Sequence, residues 1–98
     1  MLDKMKALLD MQKKMQEMKR QLENTVFEVE SPKGLVKIMM NGAQEIKDIK
    51  INANLKETEA RVLEDAIKEA LARAIKQSQV VAAEKMKSIT GFNLPGVT

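Results

Sequence analysis

The side chains able to do chemistry here are carboxylates and cations: 14 Asp and Glu against 17 Lys and Arg, with neither His nor Cys. Lacking His, the chain is without the commonest general base and transition-metal ligand. Lacking Cys, it has no thiolate nucleophile, no thiolate zinc site and no disulfide framework. Acid neighbours such as Glu64 and Asp65, or Glu28 and Glu30, have no nucleophile or base constellation to join, and adjacent charges of this kind are ordinarily solvated surface. The chain therefore reads as non-enzymatic, with no cofactor, metal site or small-molecule substrate expected.

What remains is the chemistry of fixed positive charge. The net charge is +3, and it is unevenly placed: residues 1–24 carry 6 cations against 4 acids, residues 25–55 carry 4 against 4, and residues 56–98 carry 7 against 6. The excess belongs to the two ends of the chain and suits an anionic partner. Local pairing separates the cations. Asp3, Lys6, Asp10, Lys13, Glu17 and Arg20 recur at alternating spacings of three and four, which predicts an ion-pair ladder along one helix face. Lys14 and Lys19 flank the apolar side of the same helix, Lys76 has no acid one turn away, and Lys85 and Lys87 follow near the C-terminal end. Lys14, Lys19, Lys76, Lys85 and Lys87 are thus the candidate phosphate contacts. Lys14, Lys19 and Lys76 should matter most, and snorkelling from a packed helix is the plainer reading of Lys85. Arg73 is expected to pair with Glu69 and Lys68 with Glu64.

These cations need elements to position them. Residues 2–24 contain no Gly or Pro, and Leu8, Met11, Met15, Met18 and Leu22 follow the spacing of a coiled-coil seam, so a helix is expected there. The seam fits either a packed face within the chain or a surface receiving a partner helix. Residues 25–31 alternate as a strand with Phe27 and Val29 on one side. Ser31 to Gly34 reads as a turn, and residues 35–40 form a second strand with Val36, Ile38 and Met40 opposite Leu35, Lys37 and Met39. Both faces of that second strand read as largely apolar. Asn41-Gly42 predicts a two-residue type I′ hairpin turn into a third strand at about 44–51, where Ile46 can share a face with Ile49 and Ile51 only through a bulge near Lys47 and Asp48. A long Ala-rich helix over about 58–90 follows, with Thr58 as N-cap. Gly91 ends it, and a tail over 91–98 carries Phe92 and Leu94, which are expected to tuck down. The fold class is α+β in the order α-β-β-β-α: a small three-stranded antiparallel sheet flanked by two long helices, in one domain over residues 1–98.

At 98 residues the core is thin. Self-association is expected, with Leu35 and Met39 on the sheet and Leu8, Met11, Met15 and Met18 on the helix as candidate interface residues. No apolar run reaches membrane-spanning length and the first residues lack a signal-peptide core, so a cytoplasmic location and no membrane partner are expected.

The order Gly34-Leu35-Val36-Lys37-Ile38, Asn41-Gly42-Ala43, Ile49-Lys50-Ile51 with Leu55, Met86-Lys87-Ser88-Ile89-Thr90-Gly91 and Asn93-Leu94-Pro95-Gly96 resembles the YbaB/EbfC family of bacterial nucleoid-associated proteins, over nearly the whole chain. The resemblance implies a homodimer whose sheets associate while the helices project like the jaws of tweezers. It also implies binding of double-stranded DNA, association with the nucleoid and an effect on gene expression. The chain departs from that pattern at Asn52, where relatives often carry Asp, and in starting without a Gly- and Met-rich leader. No zinc-finger spacing, helix-turn-helix punctuation or aromatic RNA-binding strand is visible, so binding through phosphates is expected rather than base readout. The alternative is a protein-interaction module whose Met-lined helix receives partner helices.

Overall fold

The computed structural model describes residues 2–90. Helix α1 spans Leu2–Asn24, strands β1, β2 and β3 span Val26–Glu30, Val36–Asn41 and Ile46–Ile51, and helix α2 spans Ala60–Thr90. The strands form one antiparallel sheet in the order β1-β2-β3, as the sequence predicted. Gly91, Phe92 and Leu94 lie outside the described residues.

The core sits between one face of β2 and α2. Val36, Ile38 and Met40 are buried against Ala66, Ala70 and Ala74, with Phe27, Val29, Leu35, Leu63, Ile67 and Leu71 packed around them. Alanines at these positions let the helix approach closely. Burying one Val or Ile side chain contributes about 1.5–3 kcal/mol, so the β2 side chains dominate this layer. Arg73, expected to pair with Glu69, instead donates from Nη1 to the Glu30 carbonyl at 2.9 Å and pins α2 to the end of β1.

The expected bulge is present. Met39 faces Asp48 and Met40 faces Ile46, leaving Lys47 as the extra residue, so Ile46, Ile49 and Ile51 all share the face of Val36, Ile38 and Met40. The turn before β2 also follows expectation, with Pro32 at its start and Gly34 at φ 68°; Lys33 shares that left-handed conformation.

Two boundaries differ from the sequence reading. α2 starts at Ala60 rather than Thr58, because the Leu63 amide donates to the Glu59 carbonyl while the Thr58 amide is held by the Asn54 carbonyl at 2.9 Å. β3 starts at Ile46 rather than 44, because Gln44 takes a positive φ of 63° that no strand accommodates.

The hairpin turn itself is the larger correction. Neither Asn41 nor Gly42 has a positive φ, so the two-residue type I′ turn does not form. β2 continues through Asn41, and Gly42, Ala43 and Gln44 make a three-residue loop closed by the Asn41 amide on the Glu45 carbonyl at 3.1 Å. The reason lies in the Asn41 side chain, which is fully buried. Its Oδ1 accepts from the amides of Ala43 (3.0 Å) and Glu45 (2.9 Å). Its Nδ2 donates to the Glu23 carbonyl at the end of α1 (3.1 Å) and to Glu45 Oε1 (2.8 Å). Gly42 is required for space rather than for φ: its amide donates to the carbonyls of Leu22 (2.9 Å) and Thr25 (3.1 Å), and a Cβ there would meet Leu22 Cδ2 and Val81 Cγ1 at 2.9 Å.

Gly42→Ala should therefore destabilise the protein by about 1–3 kcal/mol through overpacking, and Asn41→Ala by a similar about 1–3 kcal/mol through unpaired buried amides and carbonyls. Denaturant midpoints check both; an unshifted midpoint for Gly42→Ala would refute the close approach of α1, the turn and α2.

Candidate functional site

Leu22 and Val81 meet over Gly42, and Met11, Met15 and Met18 stand beside Ile89. α1 and α2 are therefore antiparallel neighbours that leave the sheet together. α1 buries no residue fully within the chain. Its seam is graded: Met18 and Leu22, nearest the sheet, are half-buried, while Leu8, Met11 and Met15 are exposed.

The candidate cations are not gathered into one cluster. Lys14 lies on the α2 side of the seam, beside Asp10 in a groove between the helices, and Lys19 reaches Glu23 at 3.9 Å on solvated side chains. Lys76 and Lys87 are exposed and make no ion pair. They stand eleven residues apart on one face of α2, about 16.5 Å at 1.5 Å per residue. Lys85 is half-buried, in line with the snorkelling reading.

The ion-pair ladder is a correction. Among the described residues only its Glu17 and Arg20 rung closes, at 2.5 Å, supported by Gln21 Nε2 on Glu17 at 3.0 Å. The rungs from Asp3 to Lys6 and from Asp10 to Lys13 stay open, and no pair forms between Lys68 and Glu64 or between Lys87 and Glu84; Arg61 pairs with Asp65 at 3.5 Å. Exposed pairs of long side chains gain little over water, so open rungs are the expected state of such a face. The hydrogen bonds from Arg20 and Gln21 hold the Glu17 carboxyl below the usual carboxylate range.

The reading of β2 as apolar on both faces is also corrected. On the face away from α2, Glu28 pairs across to Met39 and on to Asp48, and Glu30 pairs across to Lys37 and on to Lys50. Lys37 Nζ bridges Glu30 at 3.4 Å and Glu28 at 3.9 Å. Met39 is half-buried among these charges, and Leu35 packs on the core instead of facing solvent.

Sequence reasoning missed the apolar surface on β3. α2 packs over β1 and β2, so Ile46, Ile49 and Ile51 extend past its cover with exposures of 50%, 45% and 45%. The signal was present in the three isoleucines sharing a face. Their exposure depended on which strands the helix covers, and no spacing encodes that.

Compared with known proteins, residues 1–93 match the family described as YbaB/EbfC DNA-binding. A nucleoid-associated protein of Dictyoglomus thermophilum is 40% identical over 93 residues, covering 93% of this chain and 89% of that one. A nucleoid-associated protein of Legionella pneumophila is 36% identical over 92 residues, covering 93% and 82%. The crystal structure of an uncharacterised Helicobacter pylori protein superposes with a TM-score of 0.72 at 23% identity, covering 93% of this chain and 94% of that one, which is a likeness of fold.

The single closed rung gives α1 a predictable response to acid. A depressed carboxyl contributes stability above its unfolded pKa and loses it as pH falls through the folded value. Helix signal at 222 nm should hold down to about pH 5 and then decline toward about pH 3, where carboxylates protonate. In Glu17→Gln that decline should be shallower; an identical acid profile in both proteins would remove the rung from the account.

Proposed function

Because the chain belongs to the YbaB/EbfC DNA-binding family, we propose that it works as a single-domain, homodimeric nucleoid-associated protein. It grips double-stranded DNA chiefly through phosphates and acts in the cytoplasm, on the nucleoid, where it influences nucleoid organisation and gene expression. The supporting observation is that several exposed lysines of the two helices are left without carboxylate partners, although Lys19, Arg20 and Arg61 are paired. Lys76 and Lys87 line one face of α2, Lys14 flanks the seam of α1, and the open ladder adds Lys6 and Lys13. A phosphate reaching such a lysine displaces only water and counterions, whereas Arg20 and Lys19 must first release Glu17 and Glu23. This changes the ranking drawn from sequence: Lys19 falls, and Lys6 and Lys13 rise to join Lys14.

Dimerisation would use the uncovered β3 face. Ile46, Ile49 and Ile51 form an exposed apolar strip on one face of β3, and a second copy supplies a matching strip. In this proposal the sheet contribution comes from β3 rather than from Leu35 and Met39, while Leu8, Met11, Met15 and Met18 remain the helix candidates. The exposed part of that seam also supports the second reading, a module receiving partner helices through Leu8, Met11 and Met15.

Binding to random duplex DNA should weaken linearly in log affinity against log salt, with a slope of about −0.9 per neutralised phosphate. Lys76→Gln and Lys87→Gln should each reduce that slope by about one unit, and Lys19→Gln and Arg20→Gln by clearly less. A slope that is flat, or equal losses from paired and unpaired cations, would refute phosphate binding governed by free charge. Light scattering tests the dimer: Ile49→Lys should give the 11.0 kDa chain mass where the parent gives twice that. If Ile49→Lys stays dimeric while Met15→Lys dissociates, the helices and not the sheet hold the two copies together.

A further inference from the structure

In an unfolded chain an Asn-Gly pair loses its side-chain amide readily, because the glycine nitrogen reaches the asparagine Cγ without hindrance from a Cβ. In this fold the atoms of that reaction at Asn41-Gly42 are all engaged. Asn41 is fully buried. The Gly42 nitrogen, the nucleophile, donates to the carbonyls of Leu22 (2.9 Å) and Thr25 (3.1 Å). Asn41 Nδ2, the leaving group, donates to the Glu23 carbonyl (3.1 Å) and to Glu45 Oε1 (2.8 Å). Three of these four acceptors lie in residues 22–25, where α1 passes into β1. The bonds from the Ala43 and Glu45 amides to Oδ1 belong to the hairpin and do not depend on α1. α1 buries no residue fully, the mark of an element that opens locally before the whole fold does.

We propose that Asn41-Gly42 is a latent deamidation site gated by the end of α1: the pair is inert while residues 22–25 hold it, converts when α1 lifts away, and in converting prevents α1 from docking again. Once freed, the Gly42 nitrogen gives up its proton to hydroxide and bonds to Asn41 Cγ. The Cγ–Nδ2 bond breaks and the amide leaves as ammonia, taking a proton from water, which closes a five-membered succinimide. Water then opens the ring at one of its two carbonyls, giving aspartate or isoaspartate at position 41. The net change is one water consumed and one ammonia released, with no oxidation. Neither product fits the original site. Aspartate puts a carboxylate oxygen where Nδ2 stood, against the Glu23 carbonyl and the Glu45 carboxylate, so acceptors face acceptors around a buried charge. Isoaspartate lengthens the main chain by one methylene beside Gly42, where an added Cβ already meets Leu22 Cδ2 and Val81 Cγ1 at 2.9 Å. The modification is therefore a one-way record of α1 release.

The test incubates the full chain at mildly alkaline pH, quantifies aspartate and isoaspartate at position 41 by peptide mass spectrometry, and follows the Gly42 amide by hydrogen exchange. Conversion in the folded parent should be at least about tenfold slower than in the same chain held unfolded in guanidinium. Leu22→Ala removes the side chain that packs over Gly42 and should speed both conversion and Gly42 exchange by about tenfold. Ile38→Val loosens the core away from the junction and should leave both near the parental values. Equal conversion in folded and unfolded parent would overturn the protection. Equal acceleration by Leu22→Ala and Ile38→Val would overturn α1 as the gate, because unfolding of the whole chain would then be the route. Asn41→Asp installs one product directly: its Gly42 amide should exchange many-fold faster than in the parent, and parental protection in that variant would overturn the block on docking.

Discussion

One buried side chain ties three parts of this fold together. Asn41 spends both amide donors and its carbonyl on four hydrogen bonds, three to Ala43 and Glu45 of its own hairpin and one to the Glu23 carbonyl at the end of α1. An asparagine so fully used leaves no polar atom unsatisfied at zero exposure, which is the condition for a buried amide to stabilise a fold. Its neighbour Gly42 lets the same turn press on Leu22 and Val81. The direction of α1, the geometry of the hairpin and the line of α2 past the sheet are therefore set at one point. The helices project from the sheet as a pair because their junction is fixed there, although α1 contributes no buried side chain of its own.

The regular parts of this architecture were legible in the sequence because their causes are local. An uninterrupted 3,4 spacing made α1, alternation made β1 and β2, and the odd spacing of Ile46 from Ile49 required the bulge at Lys47. Asn41 and Gly42 marked the hairpin correctly for an incorrect reason. The pair is known for tolerating positive φ, whereas here the asparagine serves as a four-way hydrogen-bonding group and the glycine as a spacer between helices. No local pattern distinguishes those uses, since both depend on what arrives from residues 22 and 81. Thr58 failed similarly: the turn closed on the Asn54 carbonyl leaves it ahead of Glu59, whose carbonyl accepts the first bond of α2.

Charge was less legible than fold. The ladder on α1 had suitable spacing in every rung, yet one rung closed, because exposed lysines and carboxylates keep more freedom in water than an ion pair returns. Spacing identifies which charges could meet, and solvation decides which do. The same reasoning accounts for the sheet face away from α2. Lys37 lies between Glu28 and Glu30 on neighbouring rigid strands, where less side-chain freedom is lost, and the pairs form. That face is closed to an apolar partner, and the apolar surface left open is the one α2 fails to cover.

The bulge at Lys47 bears on how copies of this chain can and cannot associate. A regular outer strand offers evenly spaced amides and carbonyls on which another strand can add, and another after that, the route to open-ended fibres. In β3 the extra residue interrupts that spacing midway, and Lys47 and Lys50 put charge along the strand. Backbone-to-backbone growth is thereby blunted, while the bulge gathers Ile46, Ile49 and Ile51 onto a single side. A pairing through that side would be self-limiting: with two strips covering each other, neither copy would have a second strip to offer a third chain, and such an assembly would stop at a closed pair instead of propagating.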